Sequence, residues 1–392
     1  MSYLKDIISG FLKKKGYEVK KTVNTQLLLE NVFQTQHERK VLISYLTTPF
    51  TNEINFSHTN LTECYTAAEI FRDLAYNVDV IDLNDSMKLD YSAYDVIYGM
   101  GNMYEESFQS SEQEKFKKIY YGTGNSPFFY YKEAGKKLHQ FYKNKKKLLP
   151  ESVRLIGSRS TLALTNSDVI ICLGNDFCKQ TYIENVPYLP TYNLNAFYFD
   201  VIQDKISRDV STARNHFLWF GSGGLISKGL SDCIDFFSKN PDMTLHICGA
   251  SKVYEKRFWE MYSPIVEQCD NIIDHGFAPL KSEKFATIVS QCLFAIFPSV
   301  SEGGSPALLN LMANGGIIPI ATEACSVDVD KFGFILEDSS VESIAKTIGK
   351  LQSVSDQNLD ILSTETQKYV RENYTLDIYR KNLFEIIKAN LE

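Results

Sequence analysis

The sequence predicts an α/β protein made of two doubly wound parallel sheets that face each other across a cleft. Three observations carry that expectation. Short apolar runs alternate with helical periods along most of the chain. The series breaks once, at the polar segment 200–214, and then resumes. In the resumed series two strands empty into glycine-rich loops that lead straight into helices. At 392 residues the chain exceeds one typical core, and two domains are the natural division.

Composition narrows the class. A chain that is 44% hydrophobic and 23% charged has the makeup of a globular protein. A net charge of −7 argues against nucleic-acid binding through bulk charge. The cysteines, Cys64, Cys172, Cys178, Cys233, Cys248, Cys269, Cys292 and Cys325, form no CxxC pair, and Cys172 and Cys248 fall inside apolar runs. Neither a zinc site nor a disulfide framework is suggested, so reduced thiols in a cytoplasmic protein are expected. No apolar run approaches the length of a transmembrane helix, and the start of the chain lacks the apolar centre of a signal peptide.

Residues 1–38 read as an appendage. Leu4, Ile7, Ile8, Phe11 and Leu12 recur at helical spacing and run into Lys13, Lys14 and Lys15. Such a helix either lies on an anionic membrane surface or packs on the body with its lysines in water. Gly10 and Gly16 weaken it.

The first domain is expected over 39–210. VLISYL is its first strand; a polar loop and a helix over 61–76 follow. Strands are predicted at 78–83, 94–100, 118–122 and 168–174, with helices over 128–149 and 176–184. The helix over 128–149 carries Lys132, Lys136, Lys137, Lys143, Lys145, Lys146 and Lys147. It is read as either a solvated face or, with Lys13–Lys15, a contact for an anionic leaflet. The stretch 187–193 reads as the exit from this domain and 200–214 as the linker.

The second domain is expected over 211–374, with strands at 216–221, 243–249, 271–276, 293–297 and 317–321 and helices between them. Helices over 341–352 and 356–372 follow. The last helix, 375–391, carries the apolar stripe Tyr379, Leu383, Ile386 and Ile387 and is free to pack on either domain.

Two loops in this second domain carry the chemistry. The run Leu293–Phe297 is short, apolar and stopped by Pro298. Ser301, Glu302, Gly303 and Gly304 then form a loop, with Ser305 at the N-cap position and Pro306 opening the helix. Backbone N–H groups at such a helix mouth suit a phosphate or a polyhydroxylated ligand. The loop after HFLWF is of the same kind, Gly221, Ser222, Gly223, Gly224 and on to Lys228 and Gly229. A lysine beside backbone N–H groups suits a diphosphate, although the loop matches neither a Walker A motif nor GxGxxG. Each loop alone also reads as an ordinary turn. Together they can grip a diphosphate from two sides while Glu302 accepts hydrogen bonds from sugar hydroxyls and Asn310 meets a ribose. The pair points to a nucleotide-sugar site.

The segment SEGGSPALLNLMANGGIIPIAT resembles the signature of the retaining glycosyltransferases of family 4, S-E-G-x-G-x-P-x-x-E-A-M-A-x-G-x-P-x-I. WFGSGGLISKGLSDCIDFF is similar to the glycine–arginine and lysine–glycine segment that opens the family's second domain. The resemblance covers 216–340 well and the first domain weakly. It implies the GT-B fold, two Rossmann-like doubly wound domains facing across a cleft. It also implies a metal-independent transferase with no cofactor, using a nucleotide-diphosphate sugar as co-substrate. The acceptor it implies is a hydroxyl of a glycan or lipid-linked glycan, in bacterial surface polysaccharide assembly on the inner face of the cytoplasmic membrane.

Carried over by position, Glu302 matches the glutamate that binds the donor sugar and Lys228 the diphosphate lysine. Gly303, Gly304 and Ser305 fall where the loop backbone meets the donor. Three departures stand out. Asn310 replaces the second glutamate, a ribose ligand. Ser222 replaces an arginine, leaving the N–H groups of Gly223 and Gly224 to substitute for it. The loop Gly122-Thr-Gly-Asn-Ser offers no equivalent of the family's first-domain histidine or acid. His58, Asn60 and Glu63 lie where the first domain approaches donor and acceptor, and His58 is the candidate there. His275 and Phe277, with Gly249 at the neighbouring strand end, are candidates for the base pocket. His246 reads as a core residue. Asp328 and Asp330 form a DxD that reads as a turn or N-cap, because no metal is implied. Two other readings fit the same residues: a GT-B-type nucleotide-sugar epimerase, and a non-catalytic partner of a glycan or a sister transferase.

Overall fold

The computed structural model describes residues 28–56, 58–153, 160–202 and 206–392. The basic helix expected over Tyr3–Lys21, with Lys13–Lys15, lies outside them. Among the described residues the first sheet has strands β1 (Leu28–Leu29), β2 (Arg39–Tyr45), β3 (Tyr76–Asp82), β4 (Val96–Gly99), β5 (Lys117–Gly122), β6 (Val169–Leu173) and β7 (Thr191–Leu194). Their order is β1-β3-β2-β4-β5-β6-β7, parallel except for β1. The second sheet has β8 (His216–Phe220), β9 (Thr244–Cys248), β10 (Ile272–Gly276), β11 (Phe294–Phe297), β12 (Ile318–Thr322) and β13 (Phe334–Leu336). It is parallel throughout, in the order β10-β9-β8-β11-β12-β13. The fold is therefore two Rossmann-like parallel sheets.

The central strands are apolar on both faces because helices cover both. β6 and β11 are buried along their whole length. In the second sheet the strand order reverses between β8 and β11, which are hydrogen-bonded neighbours. That reversal makes the chain diverge above the carboxyl ends of these two strands and leaves a crevice there. Both glycine-rich loops leave from this point.

Several segments differ from expectation. Residues 28–38, read as part of an appendage, join the first sheet: β1 pairs antiparallel with β3, and Asn31 N–H donates to Asp79 Oδ1 at 2.9 Å. The stretch read as an exit is instead the edge strand β7, which opens directly after Pro190. Pro190 lacks an N–H to donate, but its carbonyl accepts from Ile170 N at 2.9 Å, so the proline sits at a strand start on the sheet edge. The lysine-rich helix, Pro127–Lys145, turns two lysines inward. Lys137, 4% exposed, pairs with Asp232 at 2.8 Å and donates to the Ser339 carbonyl at 2.6 Å. Lys145 pairs with Asp235 at 2.7 Å. The same helix buries Tyr130, Ala134 and Phe141 in the apolar core of the six-stranded half, against residues such as Phe236 and Phe237. A solvated helix face accounts for only part of it. The side that packs is fixed by Asp232 and Asp235, which neutralise the lysines it carries inward.

The C-terminal helix Leu376–Leu391 lies on helix Thr59–Asp73 and buries Tyr379, Leu383 and Ile387. Arg380 pairs with Glu69 at 2.6 Å and with Asp73 at 2.9 Å. Beneath it the Tyr379 hydroxyl meets that of Tyr121 at 3.0 Å, and Tyr121 donates to Glu63 at 3.1 Å.

The crossing between the halves is tied by two asparagines one helical turn apart on Pro306–Gly315. Asn314 is fully buried. Its Oδ1 accepts from Val201 N at 2.9 Å and Ile202 N at 3.0 Å, and its Nδ2 donates to Phe199 O at 2.9 Å. Replacing it with alanine strands three backbone groups, one buried and two partly buried. Asn314→Ala should cost about 3 kcal/mol, read as a lowered denaturation midpoint. An unchanged midpoint would show that the segment is held by other contacts.

Candidate functional site

Lys228 is held by the backbone around it. Trp219 Nε1, from β8, donates to its carbonyl at 3.1 Å, and its own N–H bonds the Gly224 carbonyl at 2.8 Å. Gly229 follows with φ +69°, and a Cβ there would meet Pro298 at 2.5 Å, so the two loops touch where only glycine fits. Val300 N–H bonds the Ser227 carbonyl at 2.8 Å and joins the loops directly. Glu302 N–H bonds the Ala324 carbonyl at 2.9 Å, and Ser299 Oγ donates to Glu302 Oε1 at 2.8 Å. The result is that Lys228 Nζ stands 2.5 Å from Glu302 Oε1, with both side chains largely buried.

This pair lines a cavity of about 390 Å³ between the two sheets. His58, Gly221, Ser222, Gly249, Phe277, Ser305 and Asn310 also line it. His58 reaches it from the loop after β2, at the N-cap of helix Thr59–Asp73. Its Nδ1 accepts from Asn60 N–H at 3.1 Å. The site thus combines an ammonium, a carboxylate and an imidazole with an apolar wall.

Several expected roles are not borne by the geometry. The Gly224 N–H does not stand in for the missing arginine. Gly224 N–H donates to Glu255 Oε1 at 2.5 Å and Leu225 N–H to Glu255 Oε2 at 3.0 Å. Glu255 is 2% exposed, and a carboxylate buried that deeply needs those donors. Gly303 and Gly304 also come close to the other half of the molecule. A Cβ on Gly303 would fall 1.9 Å from the Thr123 carbonyl oxygen, and one on Gly304 2.8 Å from the Ala196 side chain. Ser305 occupies the N-cap, but its backbone is left-handed and its hydroxyl donates to the Cys325 carbonyl at 2.8 Å instead of capping the helix.

Asn310 lines the cavity, yet its amide is engaged within the protein. Oδ1 accepts from Phe199 N at 2.9 Å and Nδ2 donates to Pro306 O at 2.8 Å. It holds the crossing segment, as Asn314 does. Glu63 is buried away from the cleft, where Tyr45 and Tyr121 donate to it and burial pushes its carboxyl up. Asp328 accepts from Asn175 Nδ2 at 2.9 Å, a tie between loops.

His275 is turned out of the cavity although Phe277, two residues on, lines it. The register slips between Asp274 and Gly276. The His275 ring stacks on His246, with Nε2 2.9 Å from His246 Nδ1, and His246 Nε2 lies 2.9 Å from His216 Nδ1. Three imidazoles thus form a ladder across β8, β9 and β10. Burial first, then the facing His216 and His275, pushes His246 down to about 3. Burial also lowers His216 and His275; Lys284 adds to the effect on His275 and Asp274 opposes it.

The residues that sequence reasoning missed come from loops with no motif. Phe56 packs edge-on against Phe199 with ring centres 4.9 Å apart, and Lys281 Nζ stands 3.7 Å from the centre of the Phe56 ring. Lys281 lies in the loop after β10, a third strand end on the same edge, and that position was its one available signal. Asn125 crosses between the halves, donating to Ala324 O at 2.9 Å and Ser301 Oγ at 3.2 Å.

No protein-family model and no curated protein sequence matches the chain. Solved structures do. Sucrose-phosphate synthase from Thermosynechococcus elongatus superimposes with a TM-score of 0.61 at 12% identity, over 90% of this chain and 99% of that one. HepE from Anabaena in complex with UDP-glucose gives 0.58 at 12% identity, over 90% and 99%. A glycosyltransferase from Rickettsia africae gives 0.57 at 11% identity, over 91% and 100%. At these identities the likeness establishes the GT-B fold.

The ladder predicts a pH dependence with a definite sign. In the unfolded chain the imidazoles protonate near 6.5, whereas in the folded chain they resist protonation. Their contribution to stability is whole above pH 6.5 and is lost as the pH falls from there toward 3. His246→Leu should flatten the decline in unfolding free energy over that range, measured by denaturant titration. Equal slopes for the variant and the parent would refute the ladder's role.

Proposed function

We propose that the protein is a retaining glycosyltransferase that moves a sugar from a nucleotide-diphosphate donor to a hydroxyl of a glycan or lipid-linked glycan. The observation that carries this reading is the placement of Lys228 and Glu302 on one cavity at the strand-order reversal, from two loops bonded to each other. The GT-B fold supports it, as does the HepE structure, which was solved with UDP-glucose.

In this reading the diphosphate lies against Lys228 and the mouth of helix Pro306–Gly315, whose dipole favours negative charge. Glu302 accepts hydrogen bonds from the sugar hydroxyls. Phe277, 66% exposed at the rim, offers a face to the base. The His58 imidazole stands on the opposite wall. The acceptor oxygen attacks the anomeric carbon on the face the diphosphate leaves, the bond from that carbon to the phosphate oxygen breaks, and the departing phosphate takes the acceptor's proton. Positive potential fixed in place before the reaction stabilises the leaving group without a protein nucleophile. We assign the exposed face of helix Pro127–Lys145, with Phe128, Tyr131, Lys132, Lys136 and Tyr142, to contact with an anionic membrane bearing such acceptors.

Lys228→Ala and Glu302→Ala should each lower transfer from a nucleotide-sugar donor by about 100-fold or more, with the thermal midpoint held. Turnover close to the parent's in either variant would overturn the assignment. Conversion of the donor to another nucleotide sugar with no acceptor present would favour an epimerase.

A further inference from the structure

We infer that the Lys228–Glu302 ion pair is a placeholder that an intact sugar donor displaces more readily than a free nucleoside diphosphate does, so that the pair selects the donor over the spent nucleotide. The inference rests on the glycosyltransferase reading of this cavity and adds to it a means of discrimination and of product release.

The geometry sets up the competition. Lys228 Nζ is 2.5 Å from Glu302 Oε1, and the side chains are 15% and 16% exposed. The carboxylate is braced from behind, because Ser299 donates to the same oxygen at 2.8 Å. Ser299 is itself 1% exposed, and its carbonyl accepts from Thr322 Oγ1 at 2.5 Å. Among the described lining residues the ammonium groups are those of Lys228 and Lys281, and Glu302 is the one carboxylate. Lys281 is seated over Phe56. A diphosphate that enters between the two loops therefore meets a lysine already matched in charge.

Binding must exchange one partner for another. When phosphate oxygens take Lys228, the Glu302 carboxylate loses its cation in a site mostly closed to water, and that is costly unless new donors arrive. An intact donor brings them, since the sugar hydroxyls can donate to Glu302 while the diphosphate occupies Lys228. A free nucleoside diphosphate brings acceptor oxygens only. The exchange is then complete for the donor and half-complete for the product. Once the sugar has left, Glu302 recaptures Lys228 and the nucleotide is released.

Calorimetric titration with UDP and UDP-glucose tests this. The parent protein should bind UDP-glucose more tightly than UDP. Glu302→Gln keeps the bond from Ser299 but removes the charge; it should bind UDP about tenfold tighter than the parent and lose the preference for the sugar-bearing ligand. The gain must require the lysine, so Lys228→Met/Glu302→Gln should bind UDP no more tightly than Lys228→Met alone. Equal UDP affinity in the parent and Glu302→Gln would overturn the placeholder while leaving the transferase reading in place. So would a tenfold gain that persists without Lys228, because the gain would then be simple loss of repulsion. Absence of binding by either ligand to any of these proteins would overturn both. Thermal midpoints matching the parent's confirm that each variant is folded.

Discussion

Strands β8 and β11 lie side by side in the second sheet, though far apart in sequence, and the chain leaves them in opposite directions. The rest of the molecule is arranged around that fact. Two loops start from one point, and their backbones are near enough for Val300 N–H to bond the Ser227 carbonyl. One loop then carries a lysine and the other a glutamate to the same few ångströms. Neither side chain is placed by its own helix. Each is placed by a loop whose path is set by Trp219, Gly229 and Pro298 on one side and by Ser299, Ala324 and Thr322 on the other. Ion pairs on flexible surfaces contribute little, because ordering both side chains costs entropy. Here the ordering belongs to the fold.

The first sheet serves the site by being held still. Thr123 and Gly124 touch Gly303, Asn125 bonds the 301 and 324 positions, and Lys137 is buried against Asp232 and Ser339. Asn310 and Asn314 fix the segment 199–202 as it crosses between the halves. His58 therefore faces Lys228 and Glu302 from a wall whose position is determined at several separated points. A cavity between two sheets keeps its shape only under such a condition, and a site that must match a ligand needs that shape within fractions of an ångström.

What could be read from the sequence was whatever depends on local period and loop chemistry. The apolar runs gave the central strands of both sheets, though not the short edge strands β1 and β13, because buried parallel strands are apolar on both faces, and the glycine-rich turns placed Lys228 and Glu302. β7 was hidden because prolines precede it and an edge strand need not be continuously apolar. Lys137 and Lys145 could not be told from solvated lysines, since their partners, Asp232 and Asp235, lie near position 230. Glu255 carries no local signal and Lys281 only its place after a strand end, because what recruits them is a backbone or a ring brought close by the fold. The histidine ladder is a cross-strand pattern that needs the strand order β8-β9-β10 before it can be seen.

Asn310 shows why position alone is an insufficient guide to role. The resemblance places a carboxylate there as a ribose ligand. In this chain the position must both donate, to the Pro306 carbonyl, and accept, from Phe199 N–H, at 3% exposure. An amide does both and carries no charge, whereas a carboxylate could only accept and would bury a charge in the process. The consequence reaches beyond one residue. With a neutral group at 310, Glu302 is the one carboxylate among the described residues lining the cavity, and Lys228 has no second acid there competing for it. Charge balance in the cavity is then governed by Lys228 and Glu302 together, so neither can be engaged by a ligand without releasing the other.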